Sequence, residues 1–400
     1  YQLAKRMGFK RILILTFKPA VVSAWQEDLN SHIDFEGWQF ISRNTELTYE
    51  TADKSRPIVC FGSFQDYLGV NKETGGIKAK NEWVHSTNWD LVIFDEYHFG
   101  AWKENAKKLF EQEDEDSYDS EDMDKYDRGN AYDETFLPIT TMYYLYLSGT
   151  PFRALNSGEF IEDQIYNWTY SDEQRAKENW QGDGNPYAAL PRMVMMTYRI
   201  PDSIRQIAMQ GEFNEFDLNV FFSAKGKGAE ARFVYENEVQ KWLDLIRGAY
   251  LETSVDDLKL GAKKPAMPYA DVRLLNVLQH TLWFLPNVAS CYAMKNLLMQ
   301  KQNTFYHDYT INVCAGTGAG IGAAALEPVQ KSMRDPLESK TITLSCGKLT
   351  TGVTVKPWTG IFMLRNLSSP ETYFQAAFRV QSPWEITTDG GKKEIVKQEC

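Results

Sequence analysis

Short apolar segments that alternate with helical segments are the feature of this sequence that most restricts its fold. In the first part of the chain, four such segments are rich in β-branched or aromatic residues, and each ends at a polar or small cluster. They are Ile12–Leu15, Ile58–Phe61, Leu91–Phe94 and Tyr143–Leu147. This alternation is typical of proteins built on a parallel sheet, and we predict an α/β domain over residues 1–155.

The same alternation returns in the last third of the chain and predicts a second α/β domain over residues 271–400. Its expected strands and its helix are Thr281–Leu285, Thr310–Cys314, Thr341–Ser345, Ile361–Leu364 and the helical segment Val288–Met299. Residues 156–270 are less regular, with expected helices at Asp172–Gln181 and Glu236–Tyr250 around the turn-rich stretch Gly182–Pro186. We interpret them as a connecting or accessory segment.

Composition excludes several classes of protein. Hydrophobic residues make up 43% of the 400 residues and aromatic residues 14%, which is enough for packed cores and excludes a wholly disordered chain. No apolar run approaches the roughly 20 residues of a membrane-spanning helix. Five scattered cysteines without a C-x-x-C pattern argue against a disulfide framework or a zinc site, and they favour a cytoplasmic location.

The negative charge of the chain is concentrated in one place. The net charge is −11, and residues 111–128 carry ten acidic and two basic side chains, which leaves −3 for all other residues. We interpret this run as an acidic insert, a solvated loop of the first domain. The total charge therefore does not exclude a nucleic-acid partner, because a basic groove can coexist with one acidic loop.

The strongest chemical motif is a pair of carboxylates directly after an apolar strand. Leu91–Phe94 leads into Asp95 and Glu96, with His98 two residues further on. Hydrolysis of a phosphoanhydride needs one carboxylate to hold Mg²⁺ and a second group to orient the attacking water. Asp95 suits the first role and Glu96 the second. Since adjacent acidic residues are common at strand ends, the pair alone does not decide between catalysis and an ordinary solvated edge.

Four further segments accompany the carboxylate pair, and their order along the chain indicates a class of protein. Thr16–Pro19 (T-F-K-P) comes before the carboxylate pair, and Ser148–Pro151 (S-G-T-P) follows the next apolar strand. The second domain carries Leu349–Val355 (L-T-T-G-V-T-V) and Gln375–Pro383 (Q-A-A-F-R-V-Q-S-P). Together these motifs resemble those of superfamily-two helicases and translocases. Their residues are most similar to those of the DEAD/DEAH-type motor subunits of type I and type III restriction systems.

That resemblance implies two RecA-like parallel-sheet domains, ATP and Mg²⁺ as cofactors, and nucleic acid as partner. It implies that Asp95 binds Mg²⁺ through water, that Glu96 activates the attacking water and that His98 is the fourth letter of the motif. The hydroxyls of Ser148 and Thr150 would couple the nucleotide state to domain motion.

In the second domain the resemblance implies that Gln375 and Arg379 face the nucleotide across an interdomain cleft. Gly352 matches the glycine of the fifth motif, and Thr354 stands where many relatives place an aspartate near the ribose. The positions that would hold the nucleic-acid backbone are Thr16, Lys18, Thr350 and Thr351. Contacts of this kind follow a strand without reading its sequence.

The sequence also departs from the family pattern. Phe378 replaces the glycine of the sixth motif and Ser382 its second arginine, so the transition-state arginine is either Arg379 or another residue such as Arg365. No G-x-x-x-x-G-K-[ST] phosphate-binding loop occurs in the 400 residues. Because Tyr1–Gly8 resembles the end of a helix, we expect this loop to lie upstream in a longer parent protein, and the fragment alone to be inactive.

Three tempting features are not interpreted as binding sites for a base or a dinucleotide. Trp283 lies inside an apolar run and His280 next to it, so we predict core positions for both. Gly316–Gly322 has glycine spacings near those of a dinucleotide-binding fingerprint, but it lacks the acidic residue that such a site requires, so we expect a flexible interdomain or DNA-facing loop there.

The motifs together predict an ATP-dependent DNA helicase or translocase motor core of a restriction-type enzyme. Nuclease, methylation or specificity domains or subunits would lie outside these residues. Two alternatives stay open at the level of sequence: an RNA helicase, and a catalytically inactive module that binds nucleic acid or assists assembly.

Overall fold

A computed structural model of the chain shows how far these expectations hold. The structure describes residues 1–16, 21–63, 67, 77–95, 139–149, 160–198, 205–206, 209, 217–249, 267–316, 323–347, 349, 353–367 and 369–400. The chain divides into two compact units, one ending at Ile165 and the other running from Tyr166 to Cys400.

The first unit is built on a five-stranded parallel sheet with the order β2-β3-β1-β4-β5. Its strands are β1 (Arg11–Thr16), β2 (Gln39–Ile41), β3 (Ile58–Ser63), β4 (Asn88–Asp95) and β5 (Thr140–Tyr146). All four strands predicted for this unit are present. The strand predicted over Tyr143–Leu147 begins three residues earlier than expected and ends at Tyr146.

Both faces of the inner strands β1, β3 and β4 are mostly buried, which explains why these strands read as continuous apolar runs, whereas the edge strand β5 is largely exposed. Leu13 and Leu15 of β1 pack into a cluster on one face, and Ile12 and Ile14 pack into a second cluster on the other. All four side chains are fully buried. Alternation of side chains along a strand therefore supplies two cores from one apolar segment.

Among the described residues of this unit, three helices accompany the sheet: α1 (Gln2–Arg6), α2 (Val22–Ser31) and α3 (Glu82–Ser86). The helix end expected at Tyr1–Gly8 is confirmed. Gly8 has φ of 72°, and the amides of Gly8 and Phe9 donate to the carbonyls of Lys5 and Ala4. This is a Schellman termination, and it turns the chain directly into β1.

The second unit contains a four-stranded parallel sheet with the order β11-β8-β10-β9. These strands are β8 (His280–Phe284), β9 (Thr310–Cys314), β10 (Thr341–Ser345) and β11 (Gly360–Met363). Two short antiparallel pairs, β6 (Ala224–Lys225) with β7 (Arg232–Phe233) and β12 (Glu385–Thr387) with β13 (Lys393–Ile395), belong to the same unit. The predicted fold class, α/β with two units built on parallel sheets, is confirmed.

The helices described in the second unit lie before, between and after these strands. They are α4 (Tyr170–Asn179), α5 (Leu218–Phe221), α6 (Glu236–Ile246), α7 (Val272–Val277), α8 (Val288–Leu298), α9 (Ala323–Ser332) and α10 (Pro370–Ala377). The predicted helix from Glu236 stops at Ile246, four residues early, and Gly248 follows with φ of 76°. Within the described stretches, no helix combines the length and the apolar character that crossing a membrane requires.

Part of the expected connecting segment shares the core of the second sheet. Phe221, Phe222, Val239 and Leu243 are buried in one hydrophobic cluster with Trp283 of β8. The division at residues 155 and 270 stays a prediction. Residues 217–249 nevertheless pack as an integral layer of the second unit, because their apolar side chains cover one face of its sheet.

Candidate functional site

The carboxyl edge of the first sheet brings three polar side chains into one row. β1 ends at Thr16, which is in register with Ser63 of β3 on one side and with Asp95 of β4 on the other. Residues in register on neighbouring parallel strands point to the same face of the sheet. Thr16 is fully buried and Ser63 nearly so, whereas Asp95 is half-buried. Hydroxyl, hydroxyl and carboxylate oxygens therefore lie side by side at this edge.

An indole group fixes the carboxylate of Asp95. Nε1 of Trp25, on α2, donates a hydrogen bond of 2.8 Å to Oδ2 of Asp95. Trp25 is held in turn by Tyr1, whose hydroxyl donates to the Trp25 carbonyl at 2.8 Å and whose ring meets the indole edge-on at 5.3 Å. Burial, with a smaller effect of the Asp28 carboxylate, raises the pKa of Tyr1, so its hydroxyl remains a donor.

Ser148 lies just beyond the same edge. The amide of Leu147 donates to the carbonyl of Phe94 at 2.9 Å, which extends the pairing of β5 with β4 by one residue. Ser148 therefore follows immediately after the level of Asp95 and is half-buried. The structure thus brings Thr16, Asp95 and Ser148 to one edge of the sheet, as the order of their motifs predicted.

In the second unit, Arg379 joins the segments that carry the fifth and sixth motifs. It lies just after α10, where Nε donates to the Gln375 carbonyl at 3.0 Å and Nη1 donates to the Val353 carbonyl at 2.8 Å. Gln375 is half-buried on α10, and Thr354, next to Val353, is exposed. The structure therefore places Thr354, Gln375 and Arg379 in one neighbourhood. Two donors of the Arg379 guanidinium bind main-chain oxygens there.

Arg365, the other arginine considered from the sequence, lies at the carboxyl edge of the second sheet. Its Nη1 donates to the carbonyl of Cys346 at 3.0 Å, just after β10, and its guanidinium lies 5.2 Å from the ring centroid of Phe284, the last residue of β8. Arg365 and Arg379 are thus each bound to the main chain of their own unit.

Four of the five cysteine thiols are too deeply buried to offer an alternative nucleophile. Cys60, Cys291, Cys314 and Cys346 are buried. Burial raises the pKa of Cys60 and of Cys291, which keeps both thiols protonated and unreactive. No group of three or more His, Cys, Asp or Glu side chains among the described residues could hold a metal ion.

The two structural expectations for the second sheet are confirmed. Trp283 is fully buried on β8. His280 is also buried, and its ring nitrogens lie 2.9 Å from Oγ1 of Thr341 and 2.8 Å from the Pro336 carbonyl. Burial lowers the pKa of His280, so the ring is a neutral packing residue.

Other predicted positions lie outside the described residues. They are Lys18, Glu96, His98, Thr150, Thr350, Thr351 and Gly352, together with residues 111–128 and 317–322. Their roles remain predictions from the motifs.

Sequence reasoning missed two residues at the carboxyl edge of the first sheet. Ser63 ends a strand that was predicted, so the rule that polar residues gather at strand ends would have found it. Trp25 gave no such signal, because its partner Asp95 is 70 positions away in the chain and only the packing of α2 on the sheet brings the two together.

Comparison with known proteins gives relatives among restriction enzymes. No protein-family model matches the chain. A Mycoplasma pneumoniae protein named as the C-terminus of a type II restriction enzyme and methyltransferase is 28% identical over 418 aligned positions, which cover 96% of this chain and 56% of that protein. The chain thus spans about half the length of the curated relative that it matches.

Solved structures give likenesses at 12–13% identity. An HsdR-subunit fragment of a Vibrio vulnificus type I restriction enzyme has a TM-score of 0.40, with 92% of this chain and 49% of that chain covered. The DNA-bound Type ISP enzyme LlaBIII has a TM-score of 0.44 with 95% and 24% covered, and a Sulfolobus solfataricus SWI2/SNF2 ATPase core with double-stranded DNA has 0.28 with 96% and 77%. The resemblance to restriction enzymes that the motifs indicated is thus met again in the curated relative.

Proposed function

We propose that this chain is the motor core of a restriction-type enzyme, which hydrolyses ATP in order to move along or unwind DNA. The observation that carries the proposal is the row of Ser63, Thr16 and Asp95 at one sheet edge, with Ser148 one step beyond. Motor ATPases of this class need a carboxylate at the end of a buried strand, next to hydroxyls that respond to the nucleotide. The motif order from Thr16 to Arg379 supports the same function.

The residues at this edge suit Mg²⁺ and a nucleoside triphosphate. Mg²⁺ keeps several of its waters and binds through one or two carboxylates together with phosphate oxygens, so the single carboxylate of Asp95 suffices. The Trp25 bond occupies Oδ2 and orients the group. When bound, Mg²⁺ and ATP would supply the electrophile and the charge neutralisation. The protein would contribute the orientation of Asp95, and Glu96 as the base.

One observation favours a second candidate, a catalytically inactive module that binds nucleic acid. Arg379 binds two main-chain carbonyls, which is also what a purely structural arginine would do. Measurements of ATP hydrolysis and of DNA binding by the wild-type protein separate the two functions.

The test replaces Asp95 by Asn in the full-length protein and measures Mg²⁺-dependent ATP hydrolysis with and without DNA. Asparagine keeps the shape of the side chain and can still accept from Trp25, but it loses the charge that Mg²⁺ needs. We expect kcat to fall by at least about 100-fold. Asp90→Asn is the matched control, since Asp90 lies at the opposite end of β4, where its carboxylate accepts from the amides of Lys10 and Arg11.

Two further results complete the test. Glu96→Gln should abolish DNA-stimulated hydrolysis while ATP binding is retained. Unchanged turnover in Asp95→Asn would disprove the proposed site. A wild-type protein that binds DNA but hydrolyses no ATP would favour the inactive module, and stimulation by RNA rather than DNA would identify an RNA motor.

A further inference from the structure

A buried lysine binds three main-chain carbonyls in the second unit. Lys397 is 2% exposed. Its Nζ donates to the carbonyls of Lys356 at 2.8 Å, Trp358 at 2.8 Å and Val380 at 2.9 Å. An ammonium group has three N–H donors and no acceptor, so these three oxygens match its bonding capacity. We call this arrangement the carbonyl clamp.

The clamp joins the two segments that Arg379 also joins. Lys356 and Trp358 lie two and four residues beyond Thr354, and Val380 is the residue after Arg379. Arg379 holds the Val353 carbonyl at 2.8 Å from the same turn. Two cations therefore cross-link the fifth-motif segment to the sixth-motif turn, one from within the motifs and one from residue 397.

A short hairpin delivers Lys397 to this place. β12 pairs with β13, and the amide of Val396 donates to the Trp384 carbonyl at 2.9 Å. The next residue is Lys397, whose Nζ reaches the carbonyls of Lys356, Trp358 and Val380. The hairpin thus anchors the end of the sixth motif through a side chain that is not part of any motif.

Stability alone does not account for a lysine at this position. Removing an ammonium group from water costs several kcal/mol in real proteins, and buried ions are often replaced by apolar residues without loss of stability. Burial lowers the pKa of Lys397 to about 8, whereas the three carbonyl contacts favour the charged form. What the clamp does supply is a fixed geometry, because three directional bonds meet at one nitrogen.

We propose that Lys397 is a positioning residue, which holds the Val353–Trp358 segment and the Arg379 turn in the geometry that ATP hydrolysis requires. This inference rests on the function proposed above. Lys397 touches no reacting atom, and it acts through the main chain on either side of Arg379. A shift of about 1 Å in a catalytic group can lower a rate by about 100-fold, so a residue that prevents such a shift affects turnover strongly.

The experiment is a double-mutant cycle in the full-length protein, with Lys397→Met, Arg379→Ala and the double variant. Methionine keeps all but the last atom of the side chain's length and removes its three donors. We expect Lys397→Met to lower kcat about tenfold with KM for ATP unchanged, and Arg379→Ala to lower it on the order of 10³-fold. The double variant should match Arg379→Ala within about twofold, because a residue that acts through Arg379 adds nothing once Arg379 is gone.

Hydrogen exchange supplies a readout that does not depend on activity. Amides of residues 353–359 and 378–381 should exchange faster in Lys397→Met, while those of the first sheet should not change. Lys177→Met is the matched control, since Nζ of Lys177 also donates to a carbonyl, that of Leu190 at 2.6 Å, remote in sequence from the motif segments. If Lys397→Met does not fold, Lys397→Gln, which keeps two donors, takes its place.

Each outcome decides the proposal. Losses that multiply in the double variant, or unchanged exchange in both segments, would overturn the positioning role. A wild-type protein without ATPase activity would overturn the proposed function and, with it, the link to catalysis. The exchange comparison would then still decide whether Lys397 fixes the two segments.

Discussion

At the scale of single residues, Trp25 determines how the carboxylate of Asp95 is presented. Its indole N–H is the donor to Oδ2, and its ring packs against Tyr1. Groups that orient a metal ligand typically contribute 10- to 100-fold in metal affinity or activity. Trp25→Phe keeps most of the ring and removes the donor. We therefore expect the Mg²⁺ concentration for half-maximal ATP hydrolysis to rise about tenfold, with little change in melting temperature.

Trp38→Phe is the control for this prediction. Trp38 belongs to the same aromatic cluster, with its ring 6.5 Å from that of Tyr1, and no hydrogen bond joins it to Asp95. Its Mg²⁺ dependence should match that of the wild type. An equal shift in both variants would mean that the cluster acts through packing and that the bond to Asp95 has no role of its own.

The residues of the site differ in how far the sequence could predict them. Thr16 and Asp95 were predictable, since each ends an apolar strand and polar residues gather at the carboxyl ends of parallel strands. Trp25 and Lys397 were not. Trp25 reaches Asp95 only through the packing of a helix on the sheet, and Lys397 stands in a charged stretch that reads as solvent-exposed. No local pattern distinguishes a lysine that binds three carbonyls from one that faces water.

At the scale of elements, the docking of α6 depends on a reciprocal pair of amides. Nδ2 of Asn303 donates to Oε1 of Gln240 at 2.8 Å, and Nε2 of Gln240 donates to Oδ1 of Asn303 at 2.8 Å. Asn303 is fully buried. Gln240→Ala would leave a buried amide with an unsatisfied oxygen, which costs about 1–3 kcal/mol. We expect the free energy of unfolding to fall by that amount in urea titrations.

Lys241→Ala provides the comparison, because Lys241 is exposed on the next position of the same helix. Its unfolding free energy should stay within about 0.5 kcal/mol of the wild type. Equal stability of the two variants would show that the amide pair does not hold α6. The helix itself was predicted from the sequence, but the partner of Gln240 is 63 positions away and carries no sequence signal.

At the scale of the whole molecule, the boundary of the second unit is the main point on which sequence and structure can be set against each other. The alternation of strands predicted a domain from residue 271, because the preceding segment lacks strands of comparable length. The second compact unit of the structure runs from Tyr166 to Cys400. Its two hydrophobic clusters are built entirely from residues between 218 and 400. The periodic pattern identified the sheet, whereas the helical layer on its face is visible only in the packing.

Two fragments distinguish these boundaries. Residues 166–400 keep Phe221, Phe222, Val239 and Leu243 in their core, so we expect this fragment to unfold in one cooperative transition and to reproduce the exchange rates that its amides have in the full chain. Residues 271–400 lose all four side chains, and removal from a core costs about 3–5 kcal/mol for a phenylalanine and about 2–5 kcal/mol for a leucine. The two phenylalanines and Leu243 therefore contribute at least about 8 kcal/mol, which is more than the roughly 5 kcal/mol of a marginally stable domain. The shorter fragment should therefore lack a cooperative transition, and a stable, cooperatively folded fragment 271–400 would support the boundary predicted from the sequence.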